Sequence, residues 1–370
     1  MIEISRYEVQ GGVSEYHVMI HVDNPRLAYA EQVKFVLSAY TQLLEGELKG
    51  AVTVLKRFFL SDAANQSDYL QTLLVEQEAC PLSIVEQSPL NGTKIALWAY
   101  LQKGVELKAL SHGMYEVKHG AYRHLWMAGA CHETSDAEAQ TRQLFDDYIT
   151  LLREQGCTLA ENCLRTWFFV QNVDVNYAGV VKARNEVFAT QNLTNQTHFI
   201  ASTGIAGRHA NHHVSVLMDA YAVQGIRQEQ IRYLYAPTHL NPTYEYGVSF
   251  ERGTAVDYGD RRQVFISGTA SINNKGEVVH PGDICNQTLR MWENVEVLLA
   301  EAECTFEHVS HLIVYLRDVA DYIVVKEMFD ERFPNIPKVY LLAPVCRPGW
   351  LIEMECMAVK TIHNERFPAY

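Results

Sequence analysis

The sequence lacks the features that mark several large classes of protein. No run of 18 apolar residues occurs, so we expect no helix that spans a membrane. The first residues, MIEISRYEVQ, show neither the basic nor the apolar segment of a secretory signal, which favours a cytoplasmic protein. Lys and Arg number 31 against 44 Asp and Glu. This net charge of -13 argues against a nucleic-acid partner, because phosphates require clustered basic residues.

Common motifs for metals, phosphates and nucleophiles are also missing. None of the eight cysteines forms a C-x-x-C pair, so we expect reduced and mostly buried thiols. The segment GRHANHH brings three histidines together, but their spacing fits no strong zinc pattern and favours a solvated loop, so we predict no metal site. Neither a G-x-x-x-x-G-K-[ST] phosphate loop nor a G-x-S-x-G nucleophile elbow occurs.

What the sequence does contain is one pattern repeated three times. A helical pattern opens at Gln32, Gln140 and Gln287, and each time a Leu-Leu pair follows 11 residues later. Apolar strand segments come next, VLKRFFLSD, LRTWFFVQNV and LIVYLRDV, and then a second short helical segment. The period of about 105–150 residues is too long for a solenoid. It predicts three copies of one small α/β module, which can build within one chain what a simpler protein builds as a homotrimer.

The order of elements within the module predicts the fold class. A strand, a long helix, a strand, a second helix and a last strand form a mixed sheet with helices on one face. Three such sheets can close into a barrel-like core with ligand clefts at the seams. We predict modules at residues 1–112, 113–232 and 233–370, the first being the most diverged, with an irregular connection over residues 225–262. Because the three copies already close the ring, we expect a monomer.

The last strand of the third copy carries two acidic residues that the other copies lack as a pair. Glu353 and Glu355 lie in LIEMECMAV, whereas the second copy has Leu217 and Asp219 at the matching positions. Residues two apart on a strand point to the same face, so the two carboxylates lie side by side. Like charges this close raise one pKa, which gives a carboxylic acid still protonated near neutrality, as a general acid requires. The alternative is a polar sheet face that pairs with Arg or Lys.

Other residues of the third copy are also unnecessary for folding the module. The turn PVCRPGW places Cys346 and Arg347 before the acidic strand, and Arg347 could bind a carboxylate or form a salt bridge to a Glu. The residues that match Arg317 in the other two copies, Gln171 and Ser61, are uncharged. The charge of Arg317 is therefore not needed for the fold, and Arg317 could bind an anion or form a surface ion pair. Gly268 lies inside a strand, and a glycine there often marks close approach by a ligand or by backbone. The second copy has Gly129 at a nearby position, so the alternative is that the fold of the module itself requires this glycine.

These segments resemble a known family. The third copy, from VFISGTASI through HPGD and HLIVYLRD to VCRPGWLIEMECMAV, is similar to the reactive-intermediate deaminase (YjgF-like) superfamily, known for trimers with clefts at subunit interfaces. The fuller pattern resembles the chorismatases, which act on chorismate. Its segments are Arg165-Thr-Trp, the ASTGIA segment at 201–206, the stretch from Tyr246-Gly247 to Arg252, and the acidic strand after the Cys-Arg turn. The run STGIAG departs from the family's tighter T-G-I-G-A.

The resemblance implies three YjgF-like modules and an enzyme that acts on a small molecule, chorismate, without a metal or an organic cofactor. It implies that Glu353 is the catalytic acid, Glu355 its acidic neighbour and Cys346 a residue that steers the reaction. Family members with Gly and Cys at two positions make 3-hydroxybenzoate, and members with Ala at both hydrolyse chorismate to a dihydrodiol. Gly268 and Cys346 therefore imply 3-hydroxybenzoate and pyruvate. The implied substrate-binding residues are Gly268, Arg347, Arg317, Tyr246, Arg252, Arg165, Thr203 and Gly204.

Two other functions remain open at this point. An imine deaminase of the simpler trimeric type would use Arg347 to bind the carboxylate of a 2-imino acid. A binding protein of the same fold without enzyme activity is the second possibility. The pair Glu353 and Glu355 argues against it, because a protein that binds anions gains nothing from two carboxylates in its pocket. The sequence does not indicate which module faces the third across the active cleft.

Overall fold

Three α/β modules follow one another along the chain, each built on its own β-sheet. The structure is a computed structural model that describes residues 1–75, 77, 79–133 and 136–370, and the side chain of Tyr246 is not among the described groups. Among the described residues, no helix combines the length and the apolar character needed to span a bilayer. The three sheets have five, six and seven strands, so the predicted mixed α/β architecture is confirmed.

The first module forms a five-stranded sheet with two helices. Its elements are β1 (Ile2–Tyr7), β2 (Ser14–His21), α1 (Tyr29–Glu45), β3 (Val52–Leu60), α2 (Ala63–Leu74), β4 (Leu82–Glu86), β5 (Ser88–Pro89) and β6 (Ile95–Lys103). The strand order is β1-β2-β6-β3-β4. The pair β3 and β4, which flanks α2, is parallel and the other neighbours are antiparallel.

The second module forms a six-stranded sheet. Its elements are β7 (Glu106–Ala109), β8 (Met114–His119), β9 (Tyr122–Cys131), α3 (Ala137–Glu154), α4 (Leu159–Asn162), β10 (Cys163–Val170), α5 (Val173–Thr190), β11 (Ala201–Ala206) and β12 (Val216–Gln224). The strand order is β11-β10-β12-β9-β8-β7, with only the pair β10 and β11 parallel among these neighbours.

The third module forms the largest sheet. Its elements are β13 (Ile231–Leu234), β14 (Gly253–Asp257), β15 (Arg261–Ala270), α6 (Ile284–Glu301), β16 (Val309–Leu316), α7 (Tyr322–Arg332), β17 (Lys338–Leu342) and β18 (Ile352–Thr361). The order is β13-β14-β15-β18-β16-β17-β5, so a short strand of the first module completes this sheet. Four 3₁₀ helices also occur, at Gln228–Gln230, Thr243–Tyr246, Phe306–His308 and Val319–Asp321.

Short strands lie where the sequence pattern indicated none. The segment 225–262 was predicted to be irregular, and this is wrong in part, because β13 and β14 lie within it and extend the third sheet. Strand β7 pairs with β8 in the second sheet, although the predicted boundary at residue 112 places it in the first module. The predicted boundary at residue 232 falls inside β13. These are short hairpin strands, which carry too few alternating residues to give a clear periodic signal.

The repeated glutamines tie each first helix to the closing strand of its module. Gln287 is fully buried, and its Nε2 donates to the backbone oxygens of His280 and Gly349 at 3.1 and 2.9 Å. Its Oε1 accepts the N–H of Leu351 at 2.9 Å. The other two copies make matching bonds, Gln140 to His213 and Ser215, and Gln32 to Leu27 and Lys94. The repeat therefore marks a structural clamp rather than a catalytic group.

The sheets face one another across the centre of the molecule, with the helices outside. In β6, Leu97 and Ala99 pack in the cluster under α1, whereas Trp98 and Tyr100 belong to the central cluster, as strand alternation requires. Aromatic rings join every two modules across the centre: Trp98 with His311, Tyr100 with Trp126, and Tyr221 with Phe265. The seams between modules are therefore internal interfaces of one chain.

Candidate active site

A narrow cavity lies at the seam between the second and third modules. The space between its lining residues is about 520 Å³, solvent at the mouth included. Apolar and aromatic side chains with a few convergent polar groups are typical of sites for small organic ligands. The second module contributes Tyr177 and Arg184 from α5 and Ser202 and Gly204 from β11. The third module and the segment before it contribute Val248, Phe250, Arg252, Gly268, Ala270, Ile272, Cys346, Arg347, Trp350 and Glu353.

Glu353 presents a carboxyl group to this cavity without a hydrogen-bond partner. The residue is only 5% exposed, and within the described part of the chain no side chain or backbone group hydrogen-bonds to its carboxyl. Burial, reinforced by the neighbouring charge of Glu355, raises its pKa to about 8 against the opposing effects of Arg252 and Arg165. The carboxyl therefore carries a proton near neutral pH and faces the space where a ligand would bind.

Glu355 has the opposite environment, although it lies two residues away on the same strand. Its Oε2 accepts from Arg165 Nη2 at 2.6 Å and from the Thr203 hydroxyl. Its Oε1 accepts from Trp167 Nε1 at 3.0 Å and from the Tyr315 hydroxyl at 3.2 Å. Four donors to one buried carboxyl stabilise its ionised form. The two acids thus divide into one fixed anion and one proton carrier.

Gly268 lies directly beneath the Glu353 carboxyl. A Cβ at this position would overlap Glu353 Oε1 and would lie 3.1 Å from Thr203 Cγ2. The glycine is part of a bulge in β15, where the register with β18 shifts between Ile266 and Thr269. The matching strand of the second module, β9, has a similar register shift with β12 near Gly129. The missing side chain at Gly268 therefore makes room for the Glu353 carboxyl.

Three arginines reach the cavity from three different elements. Arg184 on α5 is 1% exposed, and its Nε and Nη2 have no hydrogen-bond partner among the described groups. Arg252 donates from Nη2 to the backbone and side-chain oxygens of Asn241 at 3.1 and 3.2 Å. Arg347 lies in the turn before β18, with its guanidinium 5.0 Å from the Trp350 ring centre. Such a set of cations provides sites for a small ligand with more than one negative charge.

Cys346 lines the same cavity as a neutral thiol. Burial, with a smaller effect of Glu353, raises its pKa to about 12, and a hydrogen bond with Tyr177 acts in the opposite direction. A thiol that stays protonated is a poor nucleophile, so this cysteine shapes the pocket rather than attacking a substrate. Tyr177 in turn packs against Gly204, where a Cβ would lie 2.6 Å from the tyrosine ring.

The structure brings together some of the predicted site residues and places others nearby. Glu353, Cys346, Arg347, Arg252, Gly268 and Gly204 line the cavity. Arg165 and Thr203 lie behind it and hold Glu355. Arg317 is not among the lining residues; it donates to Val345 O at 2.8 Å and pairs with Asp174 at 2.5 Å, which fits the surface ion pair. The side chain of Tyr246 lies outside the described groups.

Sequence reasoning missed Arg184 and Tyr177. Both lie on α5 of the second module, seven residues apart and so on one helical face. The available signal was an arginine on the buried side of a helix, since Arg184 follows the buried Val180 and Ala183. The nearest acid in the sequence, Glu186, pairs with Arg142 instead. A buried arginine without such a local partner indicates either a distant partner or a ligand.

Comparisons with known proteins agree with this architecture. A family model described as Endoribonuclease L-PSP matches residues 253–360. A RutC family protein of Pyrococcus abyssi is 35% identical over 100 residues, which are 26% of this chain and 78% of the relative. The protein named 3-aminoacrylate deaminase RutC of Acinetobacter baylyi is 31% identical over 97 residues, 26% of this chain and 77% of that one.

A solved structure extends the likeness to nearly the whole chain. The crystal structure of a chorismatase superposes with a TM-score of 0.68 at 18% identity, covering 95% of this chain and 100% of the chorismatase. At this identity the likeness concerns the fold, and it confirms the predicted arrangement of the three modules. The chain belongs to the RutC family, within the YjgF-like superfamily, and has the overall fold of a chorismatase.

Proposed function

We propose that this protein is a chorismatase, which converts chorismate to pyruvate and 3-hydroxybenzoate. The observation that carries the proposal is the Glu353 carboxyl, which is buried, protonated near neutrality and without a partner in a cavity rich in arginine. The solved chorismatase with the same fold supports it. Among the functions considered, general-acid cleavage of an enol ether makes the fullest use of this arrangement.

The substrate matches the charges of the cavity. Chorismate is a small dianion that carries a ring carboxylate, an enolpyruvyl carboxylate and a ring hydroxyl. Guanidinium groups bind carboxylates with two parallel hydrogen bonds, and Arg184, Arg252 and Arg347 reach the cavity from separate elements. Two carboxylates can therefore be held at different points, which fixes the position of the ether between them. The donor groups of Arg184 without partners make it the first candidate anchor.

The reaction begins with proton transfer from Glu353 to the enol methylene carbon. The enolpyruvyl group of the substrate then carries positive charge as an oxocarbenium ion, and the ionised Glu355 nearby stabilises that charge. The ether bond breaks and pyruvate leaves as the neighbouring ring hydroxyl attacks the ring carbon that held the ether and gives up its proton, which forms an epoxide. The epoxide then opens by breaking the bond to the carbon that first carried the hydroxyl. Loss of the proton from the attacked carbon makes the ring aromatic, the phenol oxygen takes up one proton, and Glu353 regains the other. Two carboxyl groups with divided roles act similarly in glycoside hydrolysis. The two products together contain the atoms of chorismate, so no water is consumed.

The shape of the pocket supports 3-hydroxybenzoate over the dihydrodiol, which would require one water. Apolar side chains such as Phe250 and Trp350 line much of the cavity and disfavour a bound water. The thiol of Cys346 and the Glu353 carboxyl above Gly268 further reduce the space open to water beside a bound ring. A ring hydroxyl of the substrate is then the nearest nucleophile. The alternative product remains an outcome of the experiment below.

The test is incubation of the purified protein with chorismate, with products identified by chromatography and mass. We expect pyruvate and 3-hydroxybenzoate in equal amounts. The rate should fall as pH rises through about 8, because Glu353 then loses its proton. Glu353→Gln should lower kcat at least about a thousandfold, the upper range of general-acid effects, while chorismate still binds. A variant that keeps the wild-type rate would exclude Glu353 as the acid.

A second candidate function comes from the relative named 3-aminoacrylate deaminase. Arg347 lies in the turn before the last strand and lines the cavity, where it could bind the carboxylate of a small imino acid. The same preparation should therefore be assayed with 2-iminobutyrate. Turnover of the imine without any consumption of chorismate would select the deaminase. Turnover of chorismate alone would select the chorismatase.

A further inference from the structure

A buried ion network connects all three modules behind the active cavity. Arg57 on β3 of the first module is fully buried. It donates from Nε and Nη2 to Asp219 Oδ2 of the second module at 3.2 and 2.7 Å. Its Nη1 lies 3.8 Å from Glu355 Oε1 of the third module. The same guanidinium lies over the rings of Trp98 and Trp167 at 5.1 and 5.2 Å.

The position of Arg57 is not dictated by folding of a module. The strand register places Arg57 opposite Trp98, while the matching pairs in the other modules are Trp167 with Asp219 and Ile313 with Glu355. The equivalent residues of the second and third modules are therefore a tryptophan and an isoleucine. Burying an arginine is costly, and an apolar residue is often equally stable at such a place. An arginine at this position thus indicates a role beyond packing.

The four charged groups of the network balance one another. Arg57 and Arg165 supply two cations, and Asp219 and Glu355 supply two anions. Burial, reinforced by the Glu355 charge that this network holds, raises the pKa of Glu353. Arg57 borders both anions and therefore helps to hold the Glu355 charge beside Glu353.

The network also fixes the floor of the cavity. The Thr203 hydroxyl donates to Glu355 and accepts the backbone N–H of Gly268 at 2.9 Å. Gly268 in turn lies directly beneath the Glu353 carboxyl. A shift of Glu355 would therefore be passed through Thr203 to the bulge on which the acid rests. Arg57 is one of the groups that hold Glu355 in place.

We propose that Arg57 of the first module is a positioning residue, which holds the Glu355 carboxylate in place beside the acid Glu353. The proposal rests on the proposed function, since it concerns the same reaction. It gives the first module, which lacks a carboxylate pair of its own, a part in catalysis. The charged and titratable groups that face the Glu355 carboxyl are Arg57 on β3, Arg165 on β10, Tyr315 on β16, and Glu353 and Cys356 on its own strand.

The test is the double variant Arg57→Met/Asp219→Asn. It removes the Arg57 cation together with the Asp219 anion, so that Arg165 and Glu355 remain as a balanced buried pair. The amide oxygen introduced by Asp219→Asn can still accept the N–H of Gly129, which Asp219 accepts at 2.7 Å. We expect kcat at pH 7 to fall at least about tenfold with little change in KM. The split between kcat and KM is the readout, because a displaced Glu355 affects the proton-transfer step rather than binding of the ground state.

A second buried pair between modules offers a matched control. Arg261 and Glu15 form an ion pair of 2.6 Å between the third and first modules, outside the cavity lining. Arg261→Met/Glu15→Gln should lower the melting temperature but leave kcat and KM near their wild-type values. An equal fall of kcat in both double variants would overturn the proposal, and so would a wild-type kcat in the Arg57→Met/Asp219→Asn variant.

Arg57→Lys serves as the conservative variant. It keeps the cation but loses the planar fork, so we expect kcat between those of wild type and the double variant, about threefold or more below wild type. If the double variant does not fold, this single variant decides, and a wild-type kcat would overturn the proposal. A wild-type protein that does not act on chorismate would overturn the proposed function and this proposal together. Turnover by wild type with an unchanged kcat in the double variant overturns this proposal alone.

Discussion

Glu353 and Glu355 lie two residues apart on one strand, yet they differ in every interaction that sets their charge. Glu355 accepts hydrogen bonds from four side chains, whereas Glu353 faces the cavity. The strand places both on one face, and this much follows from the sequence. The partners of Glu355 come from the second module and from β16, so their identity required the fold. Sequence alone therefore indicated the pair but not which member is the proton carrier.

The raised pKa of Glu353 links the acid to stability. Between the ordinary carboxyl pKa of 4.5 and about 8, the folded protein keeps a proton that the unfolded chain releases. The free energy of unfolding therefore falls as pH rises through this window. Glu353→Gln has no such proton, so its melting temperature should be close to that of wild type at pH 5 and several degrees higher at pH 9. Thermal unfolding followed by circular dichroism checks this, and a difference independent of pH would show that Glu353 titrates normally.

Cys346 and Gly268 are expected to determine the product. In Cys346→Ala/Gly268→Ala, the new methyl at residue 268 overlaps the Glu353 carboxyl and displaces it, while loss of the thiol opens space beside the ligand. Water then reaches the reacting centre, and product should shift from 3-hydroxybenzoate toward the dihydrodiol. The ratio of the two, measured by chromatography, is the readout. Cys157→Ala, a buried cysteine outside the cavity, is the control that should leave the ratio unchanged. An unchanged ratio in the double variant would remove both residues from product control.

At the scale of elements, the long helices and the strands beside them were predictable because the same pattern recurs three times. The helical pattern that opens near Gln287 corresponds to α6, Ile284–Glu301. Strands β7 and β13 escaped prediction, since four residues at a sheet edge give little periodicity. Arg184 and Tyr177 escaped for another reason. They lie on α5, far along the chain from β18, and only the seam brings them to the cavity.

The buried glutamines of the repeat allow a contribution to stability to be separated from a contribution to substrate binding. Gln287→Ala and Gln140→Ala each remove a buried side chain that makes two or more hydrogen bonds to backbone, so each should lower stability by about 2–4 kcal/mol. Only Gln287 holds Gly349 and Leu351, which flank the cavity residue Trp350. Gln287→Ala should therefore also raise KM for chorismate severalfold, whereas Gln140→Ala should not. Denaturant unfolding and steady-state kinetics measure the two effects. Equal KM values in both variants would show that the clamp does not support the site.

At the scale of the molecule, three similar modules have kept different residues at their seams. The seam between the second and third modules holds the acid and the arginines. At the seam between the first and second modules, a Cβ on Gly129 would lie 2.7 Å from the backbone oxygen of Leu82, so backbone fills that space. The sequence predicted clefts at the seams from the repeat, but it could not indicate which seam holds a buried acid beside several arginines. Closure of the seams depends on residues of two modules at once.

The internal seams also determine the expected state of assembly. The strand β5 of the first module completes the third sheet through pairs such as Leu342 with Ser88. Residues of β11 bridge to the third module at Ala201 with Glu251 and at Ile205 with Val345. Surfaces that a single-module protein would use for trimer contacts are thus occupied within one chain. Light scattering coupled to size exclusion should give a mass near 42.1 kDa, independent of concentration. A mass three times larger would show that these seams leave a further surface free for association.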